Sequence, residues 1–192
     1  MAQGLSGEAM GQLQWGHGLL ALCAMLYLVW WVVFFRPDAG KVQGPLYWFG
    51  AGCLVIAAVA GIAGAVLVAL GASGLKAGPG PSGWWFVLGA VAAYAAIAWV
   101  TVRFWNRPVT TELLLFVAWA ALELFVACAL QVSGILDSSG TGWLIAVVVI
   151  VFALSLVCYV LYYHLTAMPS FVDGAIPLIA VGIFSIALSL LL

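Results

Sequence analysis

Charge is what this sequence has least of. It holds five Lys or Arg and six Asp or Glu in 192 residues, 6% of the chain. A soluble domain carries about 25%. So few charges cannot cover the apolar surface of a soluble fold of this size. The net charge of −1 offers no basic field to nucleic acid. Histidine is nearly absent, with only His17 and His164 present. Their positions predict opposite sides of a membrane, which argues against one haem or metal held by both. No cofactor is expected.

Other absences narrow the chemistry further. Cys23, Cys53, Cys128 and Cys158 each fall inside an apolar run, and no pair has CxxC or metal-ligand spacing. Such cysteines act as small hydrophobes. The Gly-rich stretch 71–83 is not followed by Lys-Ser/Thr, so it is no phosphate-binding loop. No Ser-His-Asp or Cys-His set gathers on one side of a membrane. The first 17 residues contain no Lys or Arg, and the apolar run after them is long. That is the wrong start for a cleaved secretory signal, so it reads as a retained helix.

What the chain does have is apolar length. Hydrophobic residues make up 67%, and a spanning helix needs about 20 mostly apolar residues. Six runs qualify, at 17–36, 45–71, 83–105, 110–135, 142–165 and 172–192. They are apolar all round, whereas barrel strands alternate. The expected fold is an all-α integral membrane protein, a bundle of six transmembrane helices with short loops in a single domain. Arg36-Pro37-Asp38, Gly44-Pro45, Gly71 to Gly83, Arg103 to Pro108, Leu136 to Gly142 and Met168-Pro169-Ser170 mark the breaks. Function must live in the helices or their turns.

The Lys and Arg residues orient the chain. Arg36 and Lys41 lie in the first loop, Arg103 and Arg107 in the third, and Lys76 alone in the second. The first, third and fifth loops are therefore expected in the cytoplasm, with both termini outside the cell membrane. Ten Trp and six Tyr suit a chain with two interfaces. Trp15, Trp30, Trp31, Tyr47, Trp48, Trp84, Trp85, Trp105 and Trp143 read as interface anchors, and Trp99 and Trp119 as deeper.

Glu123 is the most informative position. It falls near the middle of the fourth run, where a carboxylate is costly and marks a functional candidate. Glu112 lies 11 residues earlier, on nearly the same face and ~16 Å away along the axis. Glu112, Phe116, Trp119 and Glu123 form a stripe suited to a path from one mouth to the membrane centre. The bland alternative is a protonated carboxyl bonded to a neighbouring helix. Gln131 belongs either to the same cavity or to helix packing.

A second set gathers at the cytoplasmic ends: Arg103, Glu112, His164 and Asp173. They read either as one acid–base cluster with His164 proton-responsive, or as snorkelling anchors. Ser155, Tyr159, Tyr162 and Thr166 share a hydroxyl-bearing face on the fifth helix. Ala57, Gly61 and Ala65, continuing to Ala69 with Gly64 beside them, form a small-residue face for close helix packing. Pro177 is expected to kink the sixth helix or initiate it.

In length and helix number alone the chain resembles the six-helix urea and amide channels and the membrane substrate-binding subunits of energy-coupling-factor transporters. No residue is carried over from either. The leading expectation is a membrane transport protein or channel for a small solute or ion, either passive or proton-coupled through Glu123. The alternatives are a non-transporting subunit or sensor that binds a partner or lipid, and an intramembrane enzyme on a lipid substrate using Glu112, His164 or Asp173. The expected partners are the lipid bilayer, a small solute or ion, and further copies of the chain or other membrane subunits.

Overall fold

The computed structural model describes residues 2–37, 40–76, 78–104 and 110–192, with side chains from residue 7 onward. Asp38, Trp105, Arg107 and Pro108 lie outside the described residues. The chain is 87% helical with no strand among the described residues. Its helices are α1 (Ala2–Phe35), α2 (Pro45–Gly74), α3 (Gly80–Arg103), α4 (Thr111–Val132), α5 (Ser138–Leu161) and α6 (Ala167–Leu191). Each contains a window of mean hydropathy 1.9 or more and is long enough to cross a bilayer. In lipid a helix satisfies its backbone polar groups internally, which is why uninterrupted apolar runs resolve as helices. The protein is an all-α integral membrane protein with six spans.

Local chemistry sets the ends. Residues 2–16 extend α1 well before the expected start at 17. Ala9, Leu13 and His17 are buried at four-residue spacing, so the less hydropathic opening still has one helical face to bury. α4 stops at Val132 rather than 135, because Gly134 takes a left-handed φ of 73°. Its N–H bonds the Gln131 carbonyl at 2.9 Å, and the Ile135 N–H bonds that of Leu130 at 3.0 Å. This is the reciprocal end that glycine permits. Asp137 then caps α5 early, its Oδ1 accepting from the Gly140 N–H at 2.7 Å. Pro169 falls inside α6 instead of before it, in the first turn, where a missing N–H costs nothing.

The chain divides into two compact units. The first comprises Met1–Ala9 and Gly71–Leu156. Here α3 and α4 form an antiparallel hairpin. A Cβ on Gly80 would stand 3.4 Å from Val132, and one on Gly83 3.4 Å from Phe125. The Trp84 ring meets Phe125 edge-on at 5.5 Å. α3 is peripheral, with only Gly83 and Thr101 buried, while α4 is covered on every side from Phe125 to Leu130.

The second unit comprises Met10–Leu70 and Val157–Leu192. α1 runs through it with α2 and α6 packed antiparallel to it. The α1–α2 approach is closest at Gly16 and Gly64, where an added Cβ on Gly64 would stand 2.8 Å from the Gly16 carbonyl oxygen. On the α6 side, Ser189 Oγ donates to the Gln14 carbonyl at 3.0 Å, and Gly182 faces Ala24. Small residues let these backbones approach where no water drives them together. Aromatic rings close the end of this unit where α1 and α5 finish and α2 and α6 begin. Trp31 stacks on Phe35 at 4.3 Å, tilts against Tyr162 at 5.8 Å and lies parallel to Phe171 at 6.4 Å.

Candidate functional site

Glu123 stands twelve residues after Thr111 and nine before Val132. That puts it ~18 Å and ~14 Å from the helix ends. Its side chain is fully covered, at 0% exposure. One turn away Trp119 is also buried, whereas Phe116 and Glu112 are half-buried. The stripe therefore runs from partial exposure at the α4 N-terminus to complete burial near its middle. Glu112 sits in the first turn, where the helix dipole favours an acid. Gln131 is exposed at the far end.

The expected four-residue cluster divides between the units. Arg103 and Glu112 belong to the first and make no ion pair with each other among the described residues; Arg103 is exposed. His164 and Asp173 belong to the second; His164 is exposed and Asp173 is 7% exposed. On the hydroxyl face, Ser155 and Tyr159 are buried, Tyr162 is half-buried and Thr166 is exposed. Ser155 Oγ donates to the Val151 carbonyl at 2.8 Å, which answers its hydroxyl within its own helix.

On α2 the buried stripe is Cys53, Ala57, Ala60, Gly64 and Val68, while Gly61 and Ala65 are half-buried. Gly61 lies against the Cys23 side chain of α1, where a Cβ would come within 2.9 Å of Sγ. Trp99 faces outward at 61% exposure.

Three positions carry more than their sequence context suggested. His17 was expected at a helix start, but α1 begins fifteen residues earlier and buries it completely. Its Nδ1 donates to the Leu13 carbonyl at 2.7 Å. The four-residue spacing from Ala9 through Leu13 was the signal available for this. Trp31 was expected as an interface anchor and is instead 6% exposed. Its Nε1–H donates to the Phe171 carbonyl at 3.0 Å, and its ring lies directly over Gly174. Asp173 lies beside the Cys158 thiol, a pairing between α5 and α6 that spacing along the chain does not reveal.

Chemically, the two units each contain ionisable groups sealed inside membrane-spanning helices: Glu123 in the first, and His17 and Asp173 in the second. The described Lys and Arg residues (Arg36, Lys41, Lys76 and Arg103) are all exposed. Such interior groups can hold and release protons or meet a cation. No protein-family model, curated protein or solved structure matches the chain, so what identifies it is its architecture: a six-span α-helical membrane protein with ionisable side chains buried in its spans.

Proposed function

We propose that the protein moves a small solute or ion across the membrane, with proton exchange at Glu123. The observation that supports this reading is a carboxylate of 0% exposure near the middle of a spanning helix. An ionisable side chain at that depth is costly and typically marks a substrate path or proton relay. Glu112 serves as the solvated mouth of the same stripe, and Trp119 lines it. In this reading the protein lies in a cell membrane with the Arg36–Lys41 loop in the cytoplasm and both termini outside.

A second reading, a membrane subunit that acts through other chains or copies of itself, has one observation in its favour. The outward side of α3 exposes Trp85, Leu88, Val91 and Trp99, an apolar face open to lipid or to another helix.

The deciding experiment is flux in proteoliposomes, with protons and a panel of small solutes. Glu123→Gln keeps shape and hydrogen-bonding capacity but cannot exchange the proton. It is expected to lower pH-dependent flux by at least ~100-fold, the lower range for a lost proton-transfer group, with helix content unchanged. Glu112→Gln should have a milder effect. Wild-type flux and pH response in Glu123→Gln would make Glu123 a packing residue and leave the subunit reading in place.

A further inference from the structure

Asp173 is anomalous in a way that transport through Glu123 does not use. It stands six residues past Ala167, beyond the first turn of α6, where a helix dipole would stabilise an acid. Its side chain is more than nine-tenths buried. The Cys158 thiol lies beside the carboxylate, and Oδ2 is fully covered and has no hydrogen-bond partner among the described residues. Arg36, Lys41 and His164 of this unit are exposed and do not neutralise it.

A second acceptor lies beside the first. Pro177 is inside α6 and buried, four residues after Asp173. Proline has no N–H, so the Asp173 carbonyl loses its helical donor. One residue thus contributes two oxygens with unmet capacity, one from the side chain and one from the backbone. Freed carbonyls in membrane helices persist where something else satisfies them.

The neighbours describe what that something is. Tyr162 lies one turn beyond Cys158, and its ring meets Trp31 at 5.8 Å. The Trp31 indole covers Gly174, the residue after Asp173. Aromatic rings attract cations by their electron-rich faces. A primary ammonium brings a positive charge and three N–H donors, but no acceptor. It suits a site that offers a carboxylate, a bare carbonyl and aromatic carbon.

We propose that Asp173 binds a small primary ammonium ion, held by its carboxylate and by the carbonyl that Pro177 leaves without a donor, with Tyr162 and Trp31 as the apolar wall. The site belongs to the end of the second unit where α5 ends and α6 begins, about 9 Å into α6. It stands whether or not Glu123 serves transport.

The test uses the full chain in uncharged detergent micelles, with methylammonium chloride exchanged for sodium chloride at constant ionic strength. Saturation-transfer NMR reads contact between the protein and the methylammonium methyl group. Transfer is expected in the wild type and lost in Asp173→Asn. Pro177→Ala restores the N–H and should weaken binding about tenfold, the value of one charge-assisted hydrogen bond. Because that variant makes α6 more regular, it reports even if Asp173→Asn does not fold. No transfer in the wild type overturns the proposal, as does equal transfer in Asp173→Asn. Unchanged affinity in Pro177→Ala also overturns it, since the carbonyl would then play no part.

Discussion

Gly64 gives the sharpest test of how the second unit is held together. An alanine there would place its Cβ 2.8 Å from the Gly16 carbonyl oxygen, 3.0 Å from the Leu20 backbone nitrogen and 3.1 Å from Leu20 Cγ. Two of these atoms are backbone and cannot rotate away. Reaching ordinary contact means parting α1 and α2 by ~0.6 Å along much of their length, and overpacking of this kind costs about 1–3 kcal/mol. The gain in helix propensity from Gly to Ala returns up to ~1 kcal/mol. With backbone atoms in the way the cost falls at the top of that range, so the net expectation is a loss of about 2 kcal/mol, or roughly 30-fold in the folding equilibrium. Two other glycines of the same helix calibrate it. Gly61→Ala meets mainly the Cys23 side chain, at 2.9 Å from Sγ, which can swing aside, so its net effect should stay within ~1 kcal/mol. Gly52→Ala meets nothing within 4 Å and should be neutral or stabilising by up to ~1 kcal/mol. Unfolding by dodecyl sulfate from uncharged micelles, followed by circular dichroism, ranks the three. A Gly64→Ala protein as stable as the wild type would refute the close crossing, and so would one more stable than Gly61→Ala.

Trp31→Phe should cost about 1 kcal/mol, since it removes the Nε1 donor to Phe171 while keeping a ring to stack on Phe35. The same unfolding titration checks this, and an unchanged midpoint would mean that the hydrogen bond contributes nothing. For topology, tags at both termini should be accessible from outside intact cells, because Arg36, Lys41 and Arg103 hold their loops inside. Labelling of a cysteine introduced at Lys41 by a membrane-impermeant reagent from outside would reverse that orientation.

Hydropathy made the number of helices legible, because each run is long and the breaks carry Gly, Pro or charge. Their ends were less so. The Gly134 stop and the Asp137 cap are short-range features written in residues 133–140, yet the apolar Ile135 between them reads as helix. The N-terminal part of α1 was hidden because its apolar face is narrow and Gln, Gly and Glu lower its hydropathy. The small-residue face of α2 was visible, but several registers fit one sequence. Only packing against α1 shows that Gly64 meets backbone while Gly61 meets a side chain. Glu123 stood out because an acid in an apolar run has no other reading than depth. His17 did not, because its depth depended on a helix start that was itself misplaced. The Asp173–Cys158 contact joins helices separated by a turn, and periodicity along one helix carries no information about that.

His17 has one further consequence, which concerns tautomers. A carbonyl oxygen only accepts, so the 2.7 Å contact with Leu13 requires a proton on Nδ1. Neutral His17 is then the Nδ1–H form, and its lone pair resides on Nε2. Any proton the ring gains or loses passes through Nε2, while Nδ1 stays fixed by the helix that carries it. The imidazole is thus a one-sided acid–base group whose working edge is set by the backbone four residues earlier. Nitrogen chemical shifts of a 15N-labelled ring would report the protonated Nδ1 directly.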